Sequence, residues 1–262
     1  MVKIAITGVA GRMGRRIAAL AIESERFDIV AATEARGHQA IGKDVGELAG
    51  VGRFGLEVTE TLEQTPEALI DFTGPEGTLH WLEVCRSRKV PMVIGTTGLT
   101  ASQQAEVADA AGAIPIVCAA NMSVGVNVLL NIVGQVAKAL GEDYDIEIAE
   151  THHRFKKDAP SGTALALAKS ICAAVGKDPG EALVYGRGGQ CPRKKGEIGM
   201  HALRVGDTVG EHTVYFGNLG ETITIAHSAH TRDTFARGAL RAAQWLVGKK
   251  PGLYTMMDVL GL

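Results

Sequence analysis

The chain has 262 residues, enough for one large domain or two modest ones with a sizeable core. Apolar residues make up 46% and charged residues 21%, and 27 basic against 29 acidic side chains leave a formal charge of −2. That balance argues against disorder, and it gives no chain-wide signal for nucleic acid or an anionic membrane.

The first half alternates short apolar strands with amphipathic helices. VKIAIT (2–7) reads as a buried strand, and RMGRRIAALAIES follows as a helix with Ile17, Leu20 and Ala21 on one face. FDIVAATE (27–34) is a second strand, and the glycine-rich stretch 35–57 reads as loop with room for one short helix. ALIDFT (68–73), VPMVIGTT (90–97) and IPIVCAAN (114–121) are further strands, separated by helices at 76–88 and 101–111. Continuous apolar strands alternating with helices predict a parallel sheet covered on both faces. After Asn121 the pattern changes: a long helix (123–141), a strand ending in His152 and His153, and a helix over 162–176. ALVYGR, IGMHALRVG, EHTVYFGN and ETITIAHSA then run as strands with few helices between them, an α+β pattern for which antiparallel pairing is expected. An amphipathic helix at 232–248 is placed to pack back on the first domain.

Cysteines and termini carry little. Cys85, Cys118, Cys172 and Cys191 form no CxxC pair and no short disulfide framework, which fits free thiols in a reducing cytosol. MVKIAITGVAG lacks the long apolar run of a signal peptide, and no stretch reaches the ~18 uninterrupted apolar residues of a membrane helix. The expectation is a soluble cytoplasmic protein.

TGVAGRMGR sits directly after the first strand and opens the first helix. Gly8, Gly11 and Gly14 permit a tight turn and close backbone approach, and the helix N-terminus offers N–H groups to a pyrophosphate. Glycine triplets also arise from packing alone, but Glu34 stands at the end of the second strand, where a carboxylate accepts from ribose hydroxyls. DFTGPEG (71–77) and GTTG (95–98) are small-residue loops at carboxyl ends of strands, where open α/β sheets bind ligands. The expected fold is therefore α/β, a Rossmann-type parallel-sheet nucleotide domain with an inserted α+β domain.

The densest chemistry lies in ETHHRFKKDAPSGTA (150–164). Adjacent strand residues His152 and His153 point to opposite faces, so a ligand meets both only if the strand has ended. Asp158 or Ser161 can cap the following helix, presenting the Gly162 and Thr163 N–H groups to an anion. A histidine, a lysine and a helix start together suit a carboxylate and a proton transfer. The plain alternative is a solvated basic loop. A metal site lacks ligands at suitable spacing, and no G-x-S-x-G elbow suggests hydrolysis. GGQCPRKKGE (188–197) is a second basic stretch: a solvated loop, a subunit contact, or a flap carrying Arg193, Lys194 or Lys195 over an anion.

GVAGRMGR, DFTGPEGTLHW, VIGTTG, AANMSVGVNVL and above all ETHHRFKKDAPSGTALA resemble the 4-hydroxy-tetrahydrodipicolinate reductase family, and the resemblance runs over nearly the whole chain. It implies an NAD(P)H-dependent reduction of a cyclic dicarboxylate in diaminopimelate and lysine biosynthesis, with hydride transfer, protonation and net loss of water. By the same resemblance His152 is a proton donor or acceptor and Lys156 a proton donor, while His153, Gly162 and Thr163 meet the substrate carboxylates. Gly8, Val9, Ala10, Gly11, Arg12, Met13, Glu34, Gly95, Thr96, Thr97, Ala119, Ala120, Asn121 and Met122 would line the nucleotide site, with no metal. It further implies a nucleotide domain from residues 1–122 and 232–262, an inserted substrate and oligomerisation domain over 123–231, and a homotetramer. Members that use NADPH readily often carry an arginine directly after the acidic residue; here Ala35 stands there, which predicts that NADH serves at least as well, unless Arg12 or Arg36 rescues NADPH. Two other readings compete: a reductase of a different imino acid or semialdehyde, which needs the glycines and Glu34 but not the 152–163 segment, and a non-catalytic dinucleotide sensor, which needs neither His152 nor Lys156.

Overall fold

A computed structural model describes residues 1–262, which divide into two compact units, Met1–Val124 with Arg232–Leu262 and Gly125–Thr231. The chain opens with β1 (Val2–Thr7), buried along its second half, and α1 (Arg12–Ile22), which buries Ile17, Ala18, Leu20 and Ala21 while Arg12 and Arg15 face solvent. Each large aliphatic side chain so buried contributes about 1.5–3 kcal/mol. β2 (Phe27–Thr33) follows, and then the glycine-rich stretch is ordered around one side chain. Asp44 caps α2 (Val45–Ala49) and accepts from the amides of Gly46, Glu47, Phe54 and Gly55. Those amides, Phe54's foremost, hold its carboxyl down at about 2. β3 (Ala68–Asp71), α3 (Pro75–Arg88), β4 (Met92–Ile94), α4 (Ala101–Ala110) and β5 (Pro115–Cys118) complete the alternation.

The inserted unit holds α5 (Val124–Leu140), β6 (Asp145–His152), α6 (Gly162–Val175), the short α7 (Pro179–Ala182), β7 (Leu183–Tyr185), β8 (Ile198–Arg204), β9 (Gly210–Asn218) and β10 (Glu221–Ala229). Its sheet runs β10-β9-β6-β8-β7. β9 is antiparallel to β10 and β6, but β8 is parallel to both β6 and β7, so the sheet is mixed and the antiparallel expectation holds for β9 and β10 but not for β7 and β8. The cause is the connections. α6 and α7 carry the chain from β6 to β7 as a crossover, and loop 186–197 is long enough to return it to the start of β8 without a helix. One face packs Ile146, Ile148, Ile198, Met200, Val214 and Phe216 against α5 and α6.

The chain then returns to the first unit. α8 (Asp233–Leu246) buries Ala236, Ala239, Leu240 and Ala243 in the same core as α1, and Arg16 forks onto both Asp233 oxygens at 2.8 Å. β11 (Gly252–Tyr254) and α9 (Met256–Leu260) are too short to leave a periodic signal in the sequence. The finished parallel sheet has the order β11-β5-β4-β3-β1-β2, so the direction of strand addition reverses between β1 and β3. Ligands in open α/β sheets bind at the carboxyl ends of such strands.

Candidate active site

In the first unit, the residues expected at the nucleotide lie on the turns after β1, β2, β4 and β5 or, for Arg12 and Met13, in the first turn of α1, all at the carboxyl ends of the strands. Gly8 adopts φ +67°, and the Gly8 and Val9 amides donate to the Thr33 carbonyl at 3.0 and 3.2 Å. No side chain caps α1, so its first-turn N–H groups remain open to an anion. Glu34 is tied back to the glycine loop, accepting from the Ala10 amide at 2.7 Å and the Ala35 amide at 3.2 Å. Val9 and Met122 are buried in the core, so only their backbones can line a ligand. Gly95 and Thr96 are buried, while Ala120 and Thr97 are exposed. A donor-rich loop, an uncapped helix start and a fixed carboxylate suit a dinucleotide.

Gly14 shows how tight this turn is. A Cβ there would lie 2.6 Å from the Val9 Cα and 2.9 Å from the Gly8 carbonyl carbon, both backbone. Gly14→Ala is therefore expected to cost about 1–3 kcal/mol by overpacking, with dinucleotide affinity falling as the loop shifts. Thermal unfolding and a fluorescence titration with NADH check it; unchanged affinity would show that the loop is not part of the site.

Behind this edge lies Asp71, fully buried at the end of β3. It accepts from the hydroxyls of Thr7 at 2.8 Å, Thr73 at 2.7 Å, Thr78 at 2.5 Å and Thr96 at 2.9 Å. One acceptor-only group thus ties together the end of β1, the β3–α3 turn, α3 and the turn after β4.

The second unit carries the 150–164 segment. β6 ends at His152, so His153 stands in the loop and is freed from strand alternation. Ser161 is the N-cap of α6, its hydroxyl accepting from the Ala164 amide at 3.2 Å. Asp158 does not cap; it pairs with Lys156 at 2.9 Å, which lowers its carboxyl below the usual range. The His153 Nδ1 is buried with no hydrogen-bond partner in the protein.

His152 is 9% exposed and stands on the last rung of the helix-covered face. Its Nδ1 meets Glu150 Oε2 at 2.5 Å, and its ring packs edge-on against His212, centroids 5.1 Å apart. Glu150, whose side chain is wholly buried, also accepts from the Ser161 amide at 3.0 Å and from both Arg204 terminal nitrogens at 2.9 and 2.8 Å. Burial pushes the Glu150 carboxyl up, but the bonds from Arg204, His152 and Ser161 outweigh it and the net shift is downward. Burial lowers the His152 imidazole despite the Glu150 carboxylate beside it. His212 is pushed down to about 4, chiefly by burial and then by His152, and its Nε2 meets the Ser161 hydroxyl at 3.1 Å.

Sequence reading missed Glu150, Arg204, His212 and Asp71 as site residues. Glu150 had a signal: two positions before His152 on a strand, it must share that face. Arg204 and His212 reach the site only through strand pairing and left no local mark. The flap reading of Arg193 fails. Its guanidinium is bound to Glu147, to Asp145 at 2.8 Å and to the Glu197 carbonyl at 2.6 Å, which pins the loop to β6. Lys194 and Lys195 stay exposed.

Two family models match the chain: Dihydrodipicolinate reductase, N-terminus, over residues 2–122, and Dihydrodipicolinate reductase, C-terminus, over residues 125–260. Relatives named 4-hydroxy-tetrahydrodipicolinate reductase from Citrifermentans bemidjiense and Geobacter sulfurreducens are 50% and 51% identical, over 100% of both chains in each case. A dipicolinate-bound dihydrodipicolinate reductase from Paenisporosarcina sp. superposes with a TM-score of 0.76 at 23% identity, covering 98% of each chain. An amine dehydrogenase from Mycobacterium smegmatis does so at 0.65 and 14% identity, covering 97% of this chain and 95% of that one. At such identities the two structures speak for the fold alone.

Proposed function

The chain belongs to the 4-hydroxy-tetrahydrodipicolinate reductase family and performs that reductive step of lysine and diaminopimelate biosynthesis; from that premise we propose which of its residues carry the reaction and which nicotinamide they favour. The enzyme uses a nicotinamide cofactor, which when bound supplies the hydride.

His152 exchanges a proton with the substrate through Nε2, because Nδ1 is committed to Glu150. Lys156 gives the proton that accompanies reduction. His153 and the Gly162 and Thr163 backbone hold the carboxylates of a cyclic, dipicolinate-like substrate, as the uncommitted His153 Nδ1 and the start of α6 support. The observation that carries this reading is the buried Glu150, bonded both to the proton-transfer histidine and to the residue that caps the carboxylate-binding helix.

The dinucleotide lies along Gly8, Val9, Ala10, Gly11, Arg12 and Met13, with Glu34 at its ribose and Gly95–Thr97 and Ala119–Met122 beside it. The first unit is then the cofactor domain, and the inserted unit the substrate domain. Glu34 repels a 2′-phosphate and Ala35 brings no charge, so NADH serves at least as well as NADPH. We place the enzyme in the cytoplasm as a homotetramer that associates through the inserted sheet. Its helix-free face carries Ala149, Thr151, Leu203, Thr213 and Tyr215 in register, with Leu203 and Tyr215 exposed.

The test follows loss of nicotinamide absorbance with NADH and NADPH in parallel, the substrate being generated from pyruvate and aspartate semialdehyde. Turnover with kcat/KM for NADH equal to or above that for NADPH is expected, and Ala35→Arg is expected to raise NADPH use. NADPH preferred by more than about tenfold, some 1.4 kcal/mol of discrimination, would contradict the cofactor assignment. No turnover with either cofactor would contradict the roles given to His152 and Lys156.

A further inference from the structure

Glu150 and Arg204 lie outside the residues assigned above to substrate or cofactor, yet between them they hold three pieces of the site. Glu150 Oε2 meets His152 at the end of β6, and Oε1 takes the Ser161 amide one residue before α6. Arg204, reaching across from β8, grips both carboxylate oxygens and donates to the Asp158 carbonyl at 2.6 Å, in the loop that carries Lys156. Burying an ion pair is a poor route to stability, since apolar side chains of similar volume often do as well. What such a pair gives is fixed distance and orientation. Gly210 on β9 packs against the Nε2 edge of the His152 ring, where a Cβ would stand only 3.0 Å from Nε2, so a larger residue there would crowd the imidazole.

We propose that the Glu150–Arg204 pair is the positioning device of the reduction, setting the spacing between His152 Nε2, the Lys156 loop and the start of α6, so that proton transfer and carboxylate binding act on one substrate molecule. The proposal rests on the roles given above to His152, Lys156 and the helix start. Glu150 and Arg204 touch neither substrate nor cofactor; they act through the groups that do.

The charged and titratable groups facing His152 are Glu150 on its own strand, Arg204 from β8, His212 from β9 and Lys156 from the loop. Of these only Glu150 favours the imidazolium; burial and the cations oppose it. Removing the carboxylate therefore moves any limb of the pH profile that belongs to His152 toward acid.

The test compares Glu150→Gln, Arg204→Met and the double variant. Either single change leaves a buried charge or donor unpaired and threatens folding, whereas the double variant removes both charges at nearly constant volume. The double variant is expected to keep the wild-type circular dichroism and bind NADH within about twofold of wild type, while kcat falls about 10–100-fold, the scale of a misplaced reacting group. Its substrate KM rises, and the His152 limb moves to lower pH. Glu150→Asp, which keeps the charge but shortens the reach, recovers part of the pH profile and less of kcat. A double variant with wild-type kcat and pH profile overturns the proposal, as does one that loses NADH binding in step with activity, since that marks a general structural role. Inactive wild-type enzyme would instead remove the underlying assignment, and the proposal with it.

Discussion

Lys156→Ala is expected to lower kcat by about 10²–10⁴-fold, the usual range for loss of a positioned general acid, with NADH affinity unchanged within about twofold. The separation of the two readouts follows from the fold. Lys156 belongs to the inserted unit, whereas every residue assigned to the dinucleotide belongs to the other. Its side chain is 21% exposed and its ammonium lies 2.9 Å from Asp158, whose own backbone carbonyl is held by Arg204. The ammonium is thus steered by a partner on a fixed loop rather than sweeping through solvent. Lys156→Arg restores the charge but not the chemistry, because a guanidinium does not give up its proton near neutral pH. Asp158→Asn, which loosens the ammonium without removing it, is expected to have a smaller effect than either. Single-turnover kinetics beside a fluorescence titration with NADH make the measurement. A Lys156→Ala loss of less than about tenfold in kcat would mean that the proton comes from elsewhere, since even modest general-acid catalysis exceeds that.

The parts of this molecule that were legible beforehand are those encoded over a few neighbouring residues. The βαβ alternation, the glycine turn and a helix cap at Asp158 or Ser161 each depend on side chains within about one turn of the feature they make. The 35–57 stretch shows the opposite case: it reads as loop with room for one short helix, but where that helix falls is set by Asp44, which gathers amides from as far away as Gly55. The parallel pairing of β8 with β6 was illegible for a related reason. Strand direction is set by how the chain travels between two strands, not by the alternation within either. Arg204 inherits that difficulty. It becomes a partner of Glu150 only because β8 lies in parallel register beside β6, pairing Arg204 with His152.

Asp71→Ala is the second change expected to be severe, although no role in catalysis is assigned to that residue. A carboxylate at 0% exposure normally sits beside a cation; here its partners are four threonine hydroxyls and the Thr73 amide at 3.3 Å. Each hydroxyl is turned inward by the same acceptor, so deleting that acceptor strands several buried donors at once. A loss of roughly 3–5 kcal/mol is expected, the scale seen when one partner of a buried charged contact is removed. For a chain of this size that lowers the unfolding midpoint by about 10 °C. The damage should not stop at stability. Thr7 leads directly into the Gly8 turn, Thr73 lies against Gly8 so closely that a Cβ there would meet its methyl at 3.0 Å, and Thr96 belongs to the turn after β4. NADH affinity is therefore expected to fall in protein that remains folded at low temperature, while Asp71→Asn, which keeps one carbonyl acceptor, gives an intermediate loss in both. Differential scanning calorimetry with and without NADH separates the two effects. If Asp71→Ala unfolds earlier yet binds NADH as tightly as wild type when folded, the carboxylate braces the sheet and does not shape the turns that meet the cofactor.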